Sequence, residues 1–278
     1  MVKFGLALGS GGARGLSHIV ILEAFDELGV RPAIVSGSSI GALIGAAYCA
    51  GLTAREIRER FNELLHSEPA KILSFYKNSE YLNLLEFIDL GVKQGGLIKG
   101  NKFIAFYAET LKVKTFEELK IPLKVVATNY FTREQSVFDS GELYAPIKAS
   151  YSVPGLFAPV QINKNYYADG GMVNPLPYDI IEHLVDYTVA VDITPPVTSP
   201  ETEETPPIFE TLFASFQIMQ NSILKIKLKI SQPDLIVNPN VGNVRMLEFL
   251  KSKYIFDETK KAKEKVKRFI EEKLNKHK

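Results

Sequence analysis

The 278-residue chain holds a single cysteine, Cys49, and only four histidines. A lone cysteine forms no internal disulfide, which fits a reducing compartment. Its neighbours Ala46, Ala47 and Ala50 mark it as a small buried apolar side chain. Charge of one sign is missing as well: 33 Lys and Arg stand against 32 Asp and Glu. With no bulk charge and no cluster of interleaved basic and aromatic residues, nucleic acid is not an expected partner. The spacings that bind metals are absent too, with no Cys-x-x-Cys, no His-Glu-x-x-His and no Asp-x-Asp-x-Asp-Gly loop, so neither a metal nor another cofactor is expected. The apolar segment after Lys3 is broken by Gly5, by a glycine cluster and by Arg14. It does not read as a secretory leader, and the expected location is the cytoplasm, with peripheral contact at a membrane surface.

One uncharged stretch invites a different reading. No charge occurs from Pro32 to Ala54, long enough to span a bilayer at about 1.5 Å per residue, and Gly37, Gly41 and Gly45 imitate a membrane dimer motif. A membrane-anchored interaction protein would follow. Against this, Ser36, Ser38 and Ser39 join those glycines, and each interior glycine weakens a helix by about 1 kcal/mol relative to alanine. The same small residues would let a helix lie close against a sheet.

Composition and pattern favour that second account. A content of 46% hydrophobic and 23% charged residues suits one globular domain. Strand-like runs at 4–8, 33–36, 123–127, 189–193 and 235–237 alternate with helical patterns. The expected fold is α/β, a mostly parallel central sheet with helices on both faces and ligands at the strand C-terminal ends. Thr53-Ala54-Arg55-Glu56 and Thr115-Phe116-Glu117-Glu118 read as capping boxes that start helices. Residues 67–99 stay apolar without clear periodicity, either a mobile cap or an ordinary packed insertion. Residues 194–207 form a Pro-rich loop, and 208–278 a helical extension with one strand. Within it Phe209, Leu212, Phe213, Phe216, Met219, Ile223, Ile226 and Ile230 make one helical stripe, read as core or subunit contact, with lipid contact as the alternative. The Lys-rich tail from Asp257 carries Ala262, Val266, Phe269, Ile270 and Leu274 on one side, which reads as a docking helix or as a grip on anionic lipid.

Three motifs bear on chemistry. Gly37-Ser38-Ser39-Ile40-Gly41 follows a buried run and precedes a helical one, the setting in which a serine on a sharp turn exposes its oxygen for attack on a carbonyl. Gly9-Ser10-Gly11-Gly12-Ala13-Arg14-Gly15 leads into a helix, where unpaired N–H groups and the helix dipole favour an anion. That anion is either a nucleotide phosphate or the oxyanion of an ester under attack. Counted from Gly9, a dinucleotide fingerprint fails because Arg14 stands where its third glycine belongs. Third, Asp169-Gly170-Gly171 places a carboxylate before a turn that could aim it inward.

Taken in chain order, Gly11-Gly12-Ala13-Arg14-Gly15, Gly37-Ser38-Ser39-Ile40-Gly41, Ala149-Ser150-Tyr151-Ser152-Val153-Pro154-Gly155-Leu156-Phe157-Ala158-Pro159 and Asp169-Gly170-Gly171 together resemble the patatin-like phospholipase family. Ser10 departs from the family's usual glycine triple. The resemblance implies a serine lipid acyl hydrolase of phospholipase A or lysophospholipase type, with a Ser39 and Asp169 dyad, an oxyanion hole at Gly11, Gly12 and Ala13, and Arg14 as loop organiser or contact for substrate charge. It also implies Gly37 and Gly41 as the nucleophile elbow and Gly170 and Gly171 as the acid turn. None of the histidines, His18, His66, His183 and His277, is well placed as a base, although His18 comes nearest. An aspartate near its usual pKa of about 3.9 is a poor base at neutral pH, so Asp169 should sit in a dry setting that raises it. Asp192 is the rival acid and Asp139 a weaker one. Two alternatives stay open: an acyl-CoA thioesterase or general carboxylesterase with the same dyad, and a nucleotide-binding protein using the turn at Gly9 to Gly15.

Overall fold

The computed structural model describes residues 2–67, 107, 109–195 and 208–277. The proposed cap, but for Ser67, and residues 196–207 of the Pro-rich loop lie outside them. Among the described residues eight strands form one sheet: β1 (Phe4–Leu8), β2 (Ile34–Ser38), β3 (Leu123–Asn129), β4 (Gln135–Phe138), β5 (Val160–Ile162), β6 (Asn165–Asp169), β7 (Tyr187–Val191) and β8 (Leu235–Val237). Their order is β5-β6-β3-β2-β1-β7-β8, with β4 also paired to β3. The run β3-β2-β1-β7-β8 is parallel, and β4, β5 and β6 add the antiparallel part. The five strand-like runs of the sequence correspond to the parallel part. The register matters for function: successive residues of β3, Val126 and Ala127, pair with Ser38 and with Asp169. Sheet pairing alone therefore brings the ends of β2 and β6 together.

Strand alternation divides β1 between two cores. Phe4, Leu6 and Leu8 enter the large cluster with residues of α1 (Ser17–Glu27), α2 (Ile40–Cys49) and α3 (Ala54–Ser67). Ala7 faces the other way, toward Leu176, Tyr178, Ala190 and Leu224. Each large apolar side chain so buried contributes about 1.5–3 kcal/mol, an upper figure because the unfolded chain is already partly compact. A short α4 (Tyr144–Ser150) packs on β3, and two long helices follow, α5 (Ile208–Ile230) and α6 (Ser252–Lys276). Thr53 caps α3 as the sequence predicts, its hydroxyl accepting from the Glu56 N–H at 3.2 Å while Glu56 accepts the Thr53 N–H at 2.8 Å. The second capping box does not form. Thr115 makes no side-chain cap, only a 3-10 turn spans Phe116–Glu118, and the Glu118 carboxylate accepts the Lys114 N–H instead.

The uncharged stretch 32–54 is β2, the turn at Ser39 and the ten-residue α2. Among the described residues no helix is long and apolar enough to cross a membrane. α6 begins at Ser252, earlier than the tail pattern suggested, and packs on α1 through Ile255, Phe256, Ala262, Val266 and Ile270. Its Lys263 and Lys267 reach Glu27 at 2.8 and 2.9 Å. α5 corrects the stripe expected for it: Phe216, Gln220 and Leu224 turn inward, while Leu212, Met219, Ile226 and Ile230 are exposed. Apolar residues surround most of this helix, so periodicity alone could not choose the docked face.

Candidate active site

β2 ends at Ser38 and α2 begins at Ile40, leaving Ser39 as a one-residue elbow with φ 57° and ψ −124°. A side chain other than glycine rarely adopts such a backbone, and it persists only where the surroundings enforce it. Glycine is the enforcing residue on both sides. A Cβ at Gly37 would lie 2.5 Å from the Ala42 N and Cα, and one at Gly41 would collide with the Leu8 carbonyl. The Ser39 N–H donates to Ser150 Oγ at 2.9 Å, which pins the elbow to the end of α4. Its hydroxyl donates to Asp169 Oδ2 at 2.6 Å.

Asp169 is the last residue of β6 and has no solvent exposure. Its N–H donates to the Ser152 carbonyl at 3.0 Å, and its own carbonyl accepts from Thr128 Oγ1 at 2.7 Å. Oδ1 accepts the Gly171 N–H at 2.7 Å, so the acid turn holds one carboxylate oxygen and leaves the other to Ser39. Burial pushes the carboxyl up to about 7, against the opposing hydrogen bonds from Ser39 and Gly171. Desolvation disfavours the charged form, and among the described residues no cation acts on it to reverse that. A carboxyl near 7 is matched to accepting and returning a proton at neutral pH.

The glycine turn follows β1. Gly12 has φ 61°, and a Cβ there would collide with the Met246 carbonyl. The Ser10 N–H donates to the Pro175 carbonyl at 2.8 Å and the Ala13 N–H to the Met246 carbonyl at 2.7 Å. Ala13 is thus removed from the expected set of oxyanion donors, because its hydrogen is already taken by a residue distant in the chain. The N–H groups of Gly11 and Gly12 have no acceptor among the described residues. Arg14 is buried, donating Nε to the Ile193 carbonyl at 2.9 Å and a terminal nitrogen to the Val244 carbonyl at 2.8 Å. Burial lowers its guanidinium to about 10, partly offset by Asp192. It ties the turn to two loops and has no face open to a substrate.

The other candidates lie elsewhere. His18 is fully buried, donates Nε2 to the Gly9 carbonyl at 2.8 Å and is held neutral by burial, its pKa lowered to about 4. It braces the turn. His183 sits in a 3-10 turn and His277 against Tyr187, while the side chain of His66 lies outside the described residues. Asp192 accepts from Thr194 N and Oγ1 and from Asn238, and Asp139 pairs with Lys124 at 2.6 Å. Among the described residues no group of three or more His, Cys, Asp or Glu could hold a metal.

Sequence reasoning assigned no roles to Ser150, Ser152 and Gln220. The first two explain why the segment 149–159 belongs with the other motifs, since they hold the amides of the elbow and of the acid. Gln220 reaches in from α5, its Nε2 donating to Ser10 Oγ at 2.8 Å, beside Gly171 and Asp169. The available signal was an amide four residues from both Phe216 and Leu224, together with the unusual hydroxyl at position 10.

A family model described as patatin-like phospholipase matches residues 6–181, which contain the elbow, the glycine turn and the acid turn. The chain belongs to the patatin-like phospholipase family. Among its relatives, an uncharacterised NTE family protein of Mycobacterium bovis is 31% identical over 205 residues, covering 73% of this chain and 52% of that one. The human patatin-like phospholipase domain-containing protein 6 is 32% identical over 192 residues, 68% of this chain and 13% of its own length. The chain thus spans about half the length of the mycobacterial relative and much less of the human one. The solved structure of VipD from Legionella pneumophila superposes with a TM-score of 0.53 at 15% identity, over 95% of this chain and 67% of that chain. That likeness is one of fold.

Proposed function

We propose that this patatin-like chain is a serine lipid acyl hydrolase that cleaves fatty acyl esters through Ser39 and Asp169. The observation that carries the reading is the 2.6 Å hydrogen bond from Ser39 Oγ to a carboxylate raised to about 7 by burial. Ser39 Oγ attacks the ester carbonyl and its proton passes to Asp169 Oδ2. The carbonyl oxygen becomes an oxyanion facing the free N–H groups of Gly11 and Gly12; one such donor is typically worth about 2.7–4 kcal/mol. Collapse of the tetrahedral intermediate breaks the bond to the alcohol, which leaves with the proton from Asp169. Water then gives a proton to the regenerated carboxylate and attacks the acyl-enzyme; as the bond to Ser39 Oγ breaks, Asp169 returns that proton to Oγ and the fatty acid leaves. Ser150 holds the Ser39 backbone and Gly171 the Asp169 carboxylate, in keeping with a site that depends on orientation.

Family membership supports a lipid ester as the substrate class. A fluorophosphonate probe tests the nucleophile: the parent becomes labelled at Ser39, and Ser39→Ala does not. Labelling retained in Ser39→Ala would overturn the assignment. Turnover of a lysophospholipid against an acyl-CoA of the same chain then separates a lipid esterase from a thioesterase.

A further inference from the structure

α5 exposes an apolar edge beside the site. Ile218 is 64% exposed, Met219 55%, Ile226 62% and Ile230 82%, and Leu212 shares the edge. Leu212, Met219 and Ile226 are seven residues apart and Ile230 follows four later, so they line one strip of the helix. Scattered exposed apolar residues need no explanation, but a strip on one helix does. Next to it the exposed Lys225 and Lys229 stand one turn apart. No Asp or Glu occurs from 211 to 230, so no carboxylate on those turns neutralises them.

The contrast with α6 sharpens the point. There the apolar face is buried on α1, and Lys263 and Lys267 are paired with Glu27. The position of α5 adds direction. The helix packs on the short turn Gly170–Met172 that follows Asp169, and Met172 is itself exposed. A Cβ at Gly155 would come 2.8 Å from Leu212 Cδ2, which sets the start of α5 over the loop that follows α4, near Ser150 and Ser152, which hold the elbow and the acid.

We propose that the exposed face of α5 is a docking surface for an anionic lipid bilayer, with the apolar strip entering the acyl boundary and Lys225 and Lys229 meeting the headgroups. An apolar strip flanked by lysines and free of carboxylates has the chemistry of an interfacial helix, whereas the cationic edge would repel the same edge of a second copy. Docking there would bring the ester to Ser39 without the chain leaving the surface. That consequence rests on the hydrolase reading; the docking itself does not.

The test is flotation with vesicles of phosphatidylcholine alone and of phosphatidylcholine with phosphatidylserine, using the parent, Met219→Glu with Ile226→Glu, Lys225→Glu with Lys229→Glu, and Ser39→Ala. Each lysine near an anionic leaflet strengthens binding about fivefold. Losing both lysines alone would cost about 25-fold, so the charge-reversed variant should lose at least that much on phosphatidylserine vesicles and little on phosphatidylcholine. The apolar variant should lose about tenfold or more on both. Hydrolysis of a soluble short-chain ester should be unchanged in both, which reports an intact fold, and Ser39→Ala should float like the parent. A parent that cleaves the soluble ester but does not float, or floats equally well with both substitutions, overturns the docking surface and leaves the hydrolase reading standing. A parent dimer that Met219→Glu with Ile226→Glu converts to monomer assigns the strip to a second copy and equally overturns the proposal. Flotation as expected, with no ester cleaved by any form, would overturn the hydrolase alone.

Discussion

Asp169 and Asp192 both stand at the ends of sheet strands and live in different surroundings. Asp169 is sealed from solvent and accepts one hydroxyl and one amide, with burial pushing it up to about 7. Asp192 is partly exposed and accepts two hydrogen bonds from Thr194 and one from Asn238, with the charge of Arg14 close enough to be felt. The difference teaches that position at a strand end does not make a base. Desolvation with few donors does, because it raises the energy of the anion until a proton from a serine is worth taking. Asp192, bound by three donors, fastens a loop instead.

The largest test of that contrast is turnover. Asp169→Asn keeps the shape but cannot accept the proton, and kcat should fall on the order of 10⁴-fold. Asp192→Asn should stay within about fivefold of the parent, as for a substitution that loosens a loop. Comparable losses in the two would erase the distinction.

A smaller and opposite effect should appear in stability. Between the ordinary carboxyl value of 3.8 and the folded value of about 7, the native chain holds a proton on Asp169 that the unfolded chain has released. Stability therefore declines as pH rises through that window and stays lower above it. Asp169→Asn has no proton to lose. From pH 4 to pH 8 it should gain on the parent by up to on the order of 4 kcal/mol, read as urea midpoints at each pH. A parallel pair of curves would mean that the carboxyl is not held up by burial.

What the sequence could disclose follows the same physics. The elbow was legible because its steric demand is local: Gly37 and Gly41 must be small to clear Ala42 and Leu8, and small residues are visible in the sequence. The parallel strands were legible because buried runs are apolar. β4 and β5 were not, being short, partly exposed strands whose pairing is decided by β3 and β6. Removal of Ala13 from the donor set depends on Met246, and the contact of Ser10 depends on Gln220; both partners come from beyond the family-matched span and leave no local trace. The docked face of α5 was misjudged because the residue that turns inward at its centre is an amide.

The central claim is that Ser39 is activated by a carboxyl poised near neutrality and by no histidine. The most direct measurement is the rate of Ser39 labelling by a fluorophosphonate as a function of pH. The account predicts a rate that rises through a single ionisation near pH 7 in the parent, persists in His18→Gln and flattens at a low level in Asp169→Asn. A profile that keeps its shape and height in Asp169→Asn would contradict it.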